Sequence, residues 1–239
     1  MTTGLTYSQY VSEVATLAVV PSDDLNFVEI LPQMITYAEN RIYRDLDLLT
    51  TVTAISSYTT SANGRTVTFP IADFVTVQEV NVITPAGTTI PNNGTRVPLL
   101  PATKEWINYV YPSNASAGVP SYFAMFDQNT IILGPWPSGV FTVEVVGTFR
   151  PDSLSASNTS TFVSLYLPDL LIMASMIYIS AFQRNFISAA ANDPQMPVNY
   201  ETQYQTLLKG AMVEEARKKF QSAGWTSMSP SPVATPTRG

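Results

Sequence analysis

The sequence predicts an α+β chain, with a helical bundle formed by its N- and C-terminal helices and an antiparallel β-sandwich or barrel-like domain inserted between them. Apolar residues recur at helical spacing before residue 50 and again after residue 160. Between Thr50 and Arg150 the period shortens to two, and Thr, Val, Ile and Phe dominate, which is the composition of strands. The chain has 239 residues, 45% of them apolar, enough to bury a sizeable core. The expected boundaries are 1–49 with 160–224 for the discontinuous helical domain, 50–159 for the β domain, and 225–239 for an extended tail.

Thr6 and Gln9 are spaced as a capping box, and Val11, Val14, Ala15 and Ala18 follow on one face, so the first helix is expected from Tyr7 to about Val19. Pro21 ends it. Proline suits the first turn of a helix, so a second is expected to open at Pro32 and run to about Asp47. Its apolar face is Ile35, Ala38, Ile42 and Leu46. Glu39, Arg41, Arg44, Asp45 and Asp47 fall on the other faces, where they are either solvated or paired with a neighbouring copy.

In the β region Asn63-Gly64 lies between two alternating runs and tolerates the positive φ of a tight hairpin. A second turn is expected at Pro85-Ala86-Gly87, and a short helix within Pro101 to Tyr111 with Trp106 on its apolar side. Tyr122, Ala124 and Phe126 alternate, Asp127 to Thr130 supplies turn residues, and Ile131 and Leu133 resume the pattern until Gly134-Pro135-Trp136-Pro137 interrupts it. Phe141, Val143, Val145, Gly147 and Phe149 mark one face of another strand. Six or seven such strands need two packed sheets or a small barrel.

Pro151 to Thr161 leads back to helices. Pro168 opens a helix to about Arg184 whose Leu170, Leu171, Ile172, Met173, Met176, Ile177, Ile179 and Phe182 cover nearly its whole circumference. It must be surrounded, by the other helices or by a neighbouring subunit. The last helix, near Asn199 to Ala223, carries Tyr200, Tyr204, Leu207, Leu208, Ala211 and Phe220 on one stripe. Glu214 to Lys218 and Glu215 to Lys219 are expected on its wet face. Gly224 is placed as a C-terminal cap, and the Ser-, Thr- and Pro-rich tail beyond it cannot fold alone.

Composition excludes much chemistry. Without histidine or cysteine there is no Ser-His or Cys-His arrangement, no thiolate metal site and no disulfide. A formal charge of −6 and no long basic run argue against tight duplex binding. The N-terminus lacks the pattern of a secretory signal, and Leu170 to Gln183 is too short to span a bilayer. The carboxylates Asp73, Glu79, Glu105, Asp127 and Glu144 are scattered. Asp127 reads as a turn former and Glu144 as lying on the polar side of its strand, so no catalytic pair, metal, cofactor or membrane partner is expected. Trp106 and Trp136 read as core aromatics, with a sugar-binding surface as the alternative. Trp225, just outside the last helix, is either a partner anchor or folded back onto that helix.

The order of segments resembles the head-to-tail adaptor proteins of tailed bacteriophages. YSQYVSEVATL is followed by LPQMITYAENRIYRDLDL, similar to that family's alanine-glutamate helix with its arginines and closing leucine. GVPSYFAMFDQNTIILGPWPSGVFTVEVVGTFRPDSL is similar to its Gly-x-Pro segment, apolar hairpin, Pro-x-Pro turn and exit strand. LPDLLIMASMIYISAF and NYETQYQTLLKGAMVEEARKK resemble its two closing helices. No family pattern is seen from Thr84 to Tyr111 or after Gly224. The resemblance implies a structural virion protein of the neck or tail region, made in the host cytoplasm and not an enzyme. It implies a ring of about twelve copies between the portal protein and a downstream tail protein, through which DNA passes without specific binding. On that reading Trp225 and Met228 dock on the portal, and Glu39, Arg41, Arg44 and Asp45 pair between copies. The rival from another class is a carbohydrate- or receptor-binding tail component built on the β domain, and a weaker one is a glycosidase.

Overall fold

The structure is a computed structural model that describes residues 4–70, 73–186 and 196–220, with the backbone alone at 182–186 and 196–197. In chain order its elements are α1 (Tyr7–Leu17), α2 (Leu25–Asp45), β1 (Val52–Thr59), β2 (Thr66–Thr68), β3 (Thr76–Thr84), β4 (Thr95–Pro98) and β5 (Leu100–Pro101). There follow α3 (Lys104–Val110), β6 (Tyr122–Met125), β7 (Thr130–Gly134), β8 (Thr142–Thr148), α4 (Phe162–Tyr166), α5 (Pro168–Phe186) and α6 (Met196–Lys219). They divide into a helical unit, Met1–Thr50 with Pro151–Gly239, and a β unit, Thr51–Arg150. The β domain is thus inserted between the terminal helices, as the change of period predicts.

In the helical unit the Thr6 amide donates to Gln9 Oε1 at 3.0 Å and starts α1. The helix closes in a Schellman turn, with the Val19 amide donating to the Thr16 carbonyl (3.2 Å) and the Val20 amide to the Ala15 carbonyl (3.0 Å). Glycine usually fills the position Val19 occupies, because that residue takes positive φ. Val19 has φ of 55°, a conformation that costs an L-residue roughly 1–2 kcal/mol.

The second helix begins seven residues earlier than Pro32. Asp24 caps it, accepting from the Phe27 amide at 3.0 Å, and the buried face Phe27, Leu31, Met34, Ile35, Ala38 and Ile42 runs straight through the proline. Pro32 therefore sits in the helix interior, where it leaves the Val28 carbonyl without its usual amide donor.

The all-round apolar α5 is enclosed by the chain's own helices. Leu170, Leu171, Ala174, Met176 and Ile179 are each at most 1% exposed and join Tyr10, Val14, Leu31, Ile35, Tyr204 and Leu208 in one core. A fully buried leucine or isoleucine contributes about 1.5–3 kcal/mol. Tyr10 donates its hydroxyl to Ser175 Oγ at 2.5 Å, and burial pushes its phenol well above the ordinary tyrosine range. The side chain of Phe182 lies outside the described residues.

Two expectations for α6 are corrected. Phe220 is exposed, because the helix ends at Lys219 and does not carry the stripe that far. Glu215 is not on the wet face. It is buried and accepts from the Leu49 amide (3.1 Å) and Lys218 Nζ (2.7 Å), while Lys219 pairs with Asp47 instead.

The β unit is two four-stranded sheets ordered β1-β8-β3-β4 and β2-β7-β6-β5, antiparallel except for the β5–β6 pair. Their shared core includes Val67, Phe69, Phe74, Val80, Val82, Phe123, Leu133, Phe141, Val143 and Val145. Phe69 and Phe74 meet edge to face at 5.6 Å. The hairpin at Asp127 to Thr130 forms as expected, with Tyr122 opposite Gly134 and Met125 opposite Ile131, and Asp127 Oδ1 accepts from the Asn129 amide at 2.9 Å. Asn63 does take positive φ (61°), but it does not close a hairpin. β1 pairs with β8 and β2 with β7, so Asn63-Gly64 turns the chain from one sheet to the other. Trp106 is 40% exposed, and Ile107 takes the buried position on α3.

Candidate functional site

The charged residues of α2 are expected from the sequence to be either solvated or paired with a neighbouring copy, and the structure gives Glu39, Arg41, Arg44 and Asp45 each a definite place. Glu39 is 1% exposed. Its carboxylate accepts from the Leu154 amide (3.1 Å) and the Thr161 hydroxyl (3.0 Å), and Thr161 in turn caps α4 by accepting from the Ser164 amide (3.2 Å). Burial raises its pKa, and the bonds from Leu154, Thr161 and Ser153 offset part of that rise. Glu39 thus anchors the segment returning from the β unit and is not available to a neighbour.

Arg41 reaches α6. Its guanidinium donates to both oxygens of Glu201, Nη1 at 2.8 Å and Nη2 at 2.6 Å, and lies 4.3 Å from the centroid of the Tyr204 ring. The Tyr204 hydroxyl donates to Asp45 Oδ2 at 2.7 Å, and Arg41 Nε stands 3.6 Å from the same oxygen. The hydrogen bonds from Arg41 hold the Glu201 carboxyl below the usual range. Arg44 is exposed at the end of α2. Trp225 and Met228 lie outside the described residues, as does Gly224.

The scattered acids of the β unit do not converge. Asp73 accepts from the Tyr58 hydroxyl at 2.5 Å. Glu144 is buried rather than on a solvated strand face, with Arg96 Nε at 3.0 and 3.2 Å from its two oxygens and Asn81 Nδ2 at 3.3 Å. Asn81 comes from the adjacent strand β3, and Arg96 reaches across β3 from β4. Among the described residues no group of acidic side chains is arranged to hold a metal ion. Trp136 is half-buried, donating from Nε1 to the Tyr111 carbonyl at 3.0 Å, with Arg65 over its ring. Among the described residues no helix is long and apolar enough to cross a membrane.

Hollows among the described residues include two shallow ones. One, of about 320 Å³, is lined by the residues leading into and opening β3 and by the β6–β7 hairpin, among them Val75, Val77, Met125 and Gln128. The other, about 250 Å³, lies on the outer face of α6 between Thr202, Gln203, Thr206 and Leu207. Neither gathers the acids and bases that catalysis needs.

The SU10 adaptor protein family model matches residues 5–234, through both units and through the segments 84–111 and 224–234, where no pattern is visible by eye. The chain belongs to that family. These are structural bacteriophage adaptors, which is not an enzyme class. Among solved structures, the adaptor is similar to a chain from "Neck of empty GTA particle computed with C6 symmetry", at 15% identity over 84% of this chain and 87% of that one, with a TM-score of 0.28. No curated protein matches it.

Proposed function

We propose that the adaptor is a ring subunit of the virion neck that joins the portal protein to the next tail component and continues the DNA channel, in about twelve copies. The family match over residues 5–234 carries this reading, since it spans the helical and β units together. The charge of −6 suits a conduit, because an acidic wall repels the passing phosphates. On this reading Trp225 and Met228 in the C-terminal segment anchor the chain to the portal. The exposed Arg44 meets a neighbouring copy, while Arg41 and Asp45 support it from within the subunit.

The test is co-sedimentation of the purified chain with portal rings. The full chain is expected to travel with the portal, and a chain ending at Ala223 to fold but stay behind. Failure of the full chain to co-sediment overturns the ring reading, and unchanged co-sedimentation of the shortened chain overturns the anchor alone. A gel-shift experiment at physiological salt is expected to show no duplex binding.

A further inference from the structure

Two features of the helical unit are unfavourable within a single chain and have no reward there. Val19 holds a β-branched side chain in the left-handed conformation and is 90% exposed, so its side chain contributes little to its own core. Leu17 at the end of α1 and Leu25 and Val28 in the first turn of α2 are exposed as well. Gly210 stands in the middle of α6, where glycine weakens a helix relative to alanine, yet a Cβ there would meet nothing within 4 Å. Neither residue is required by what it touches in its own subunit.

The two sites differ in shape and in charge. At the α1–α2 corner the exposed Val19 side chain projects as an apolar knob, and the exposed Asp23 follows four residues later in the chain. On α6, Thr202, Gln203, Thr206, Lys209, Gly210 and Val213 share one helix face, opposite the buried Tyr204, Leu208, Ala211 and Glu215. The Thr202 and Thr206 hydroxyls donate back to the Val198 and Thr202 carbonyls, both at 2.9 Å, so their protons are already used within the helix. A hollow of about 250 Å³ is lined by Thr202, Gln203, Thr206 and Leu207. Further along the same helix face stand the exposed Lys209 and Gly210, which has no side chain to block a close approach.

We infer that these surfaces meet between copies: the Val19 knob of one subunit seats against the Thr202–Gly210 face of α6 in the next, with Asp23 opposite Lys209. The contact is heterologous, knob to hollow, which is the type that closes a ring. It rests on the ring reading above and specifies which surfaces make it. It also accounts for both unfavourable residues. A glycine lets the neighbour's backbone approach, and a valine held outward at a helix terminus presents apolar area where glycine would present none.

The experiment measures the concentration at which the full chain assembles on portal rings, together with the thermal midpoint of the free chain. Gly210→Ala and Val19→Gly each relieve the local penalty, so each is expected to raise the midpoint of the free chain while weakening assembly. Asp23→Lys and Lys209→Asp are each expected to weaken assembly about fivefold or more, and the double exchange to restore it. Single charge variants that assemble like the unaltered chain, or a double exchange that restores nothing, overturn the contact. If the unaltered chain does not assemble on the portal, the ring reading fails first, so the two failures are distinguishable.

Discussion

Glu39 in the helical unit and Glu144 in the β unit are both buried, and they are satisfied by different means. Glu39 sits among uncharged donors, the Leu154 amide and the Thr161 hydroxyl, which tie α2 to the segment leading into α4. Glu144 faces the Asn81 amide on the adjacent strand β3 and the Arg96 guanidinium on β4, one strand further across the same sheet. At the surfaces the contrast is reversed. Arg41, Asp45, Glu201, Glu215, Lys218 and Lys219 are bonded within the helical unit, whereas the strands are finished largely by threonines, such as the Thr76–Thr148 pair at 2.6 Å. A chain with only 13% charged residues thus spends many of them fastening helices together and covers its sheets with hydroxyls. Some large apolar side chains are left outside in both units. In the β unit these include Trp106, Tyr109 and Phe126, and in the helical unit the α1–α2 corner.

Removing core volume from one unit tests whether the two cores are separate. Phe69→Ala is expected to cost about 3–5 kcal/mol and to appear in urea melts as loss of the β unit, with helical circular dichroism retained to higher denaturant. Simultaneous loss of both signals would show that the cores unfold as one. Next in size, Glu39→Ala strands two buried donors and is expected to cost about 2–4 kcal/mol in the helical transition. A loss below about 1 kcal/mol would remove Glu39 as the anchor of the return segment. Tyr10→Phe deletes the hydroxyl that donates to Ser175, and about 1 kcal/mol is expected from the same melts.

The smallest effects are in pH and have opposite signs. Glu39 has a raised pKa in the fold, so burying its charge is a penalty fully present above that folded value and relieved as pH falls toward the unfolded one. Glu201 has a lowered pKa. Its contribution is present above the unfolded value and lost as pH falls through the folded one. Because the Glu201 side chain is 38% exposed, that contribution is below about 1 kcal/mol. Melts from neutral to acid pH should show Glu39→Gln and Glu201→Gln changing the slope of stability against pH in opposite directions. Shifts of the same sign would contradict the contrast between the two carboxylates.

The elements with local signals were legible. The change of period located the inserted β domain, Asp127 and its neighbours located a hairpin, and the all-round apolar Leu170 to Ile179 run identified the central helix. The start of α2 was misplaced because Pro32 fits the first turn of a helix, whereas the local signal that decides it is Asp24, an N-cap residue with apolar Phe27 and Leu31 behind it. The partners of Glu39 could not be read, since Leu154 and Thr161 lie 115 and 122 residues away and no local pattern announces them. Sheet order was hidden for the same reason. Asn63-Gly64 has the residues of a hairpin turn, and only the β1–β8 pairing, made across most of the β unit, shows that it connects two sheets. For the charged residues of α2, periodicity separated the polar face from the apolar one but could not distinguish a partner in α6 from one in another copy.

Native mass measurement of the chain bound to its portal tests the central claim most directly. The account predicts a single complex carrying a closed set of about twelve adaptor subunits per portal ring, with no smaller stable set. A chain that remains monomeric beside intact portal rings, at concentrations well above those of assembly in a virion, would contradict it.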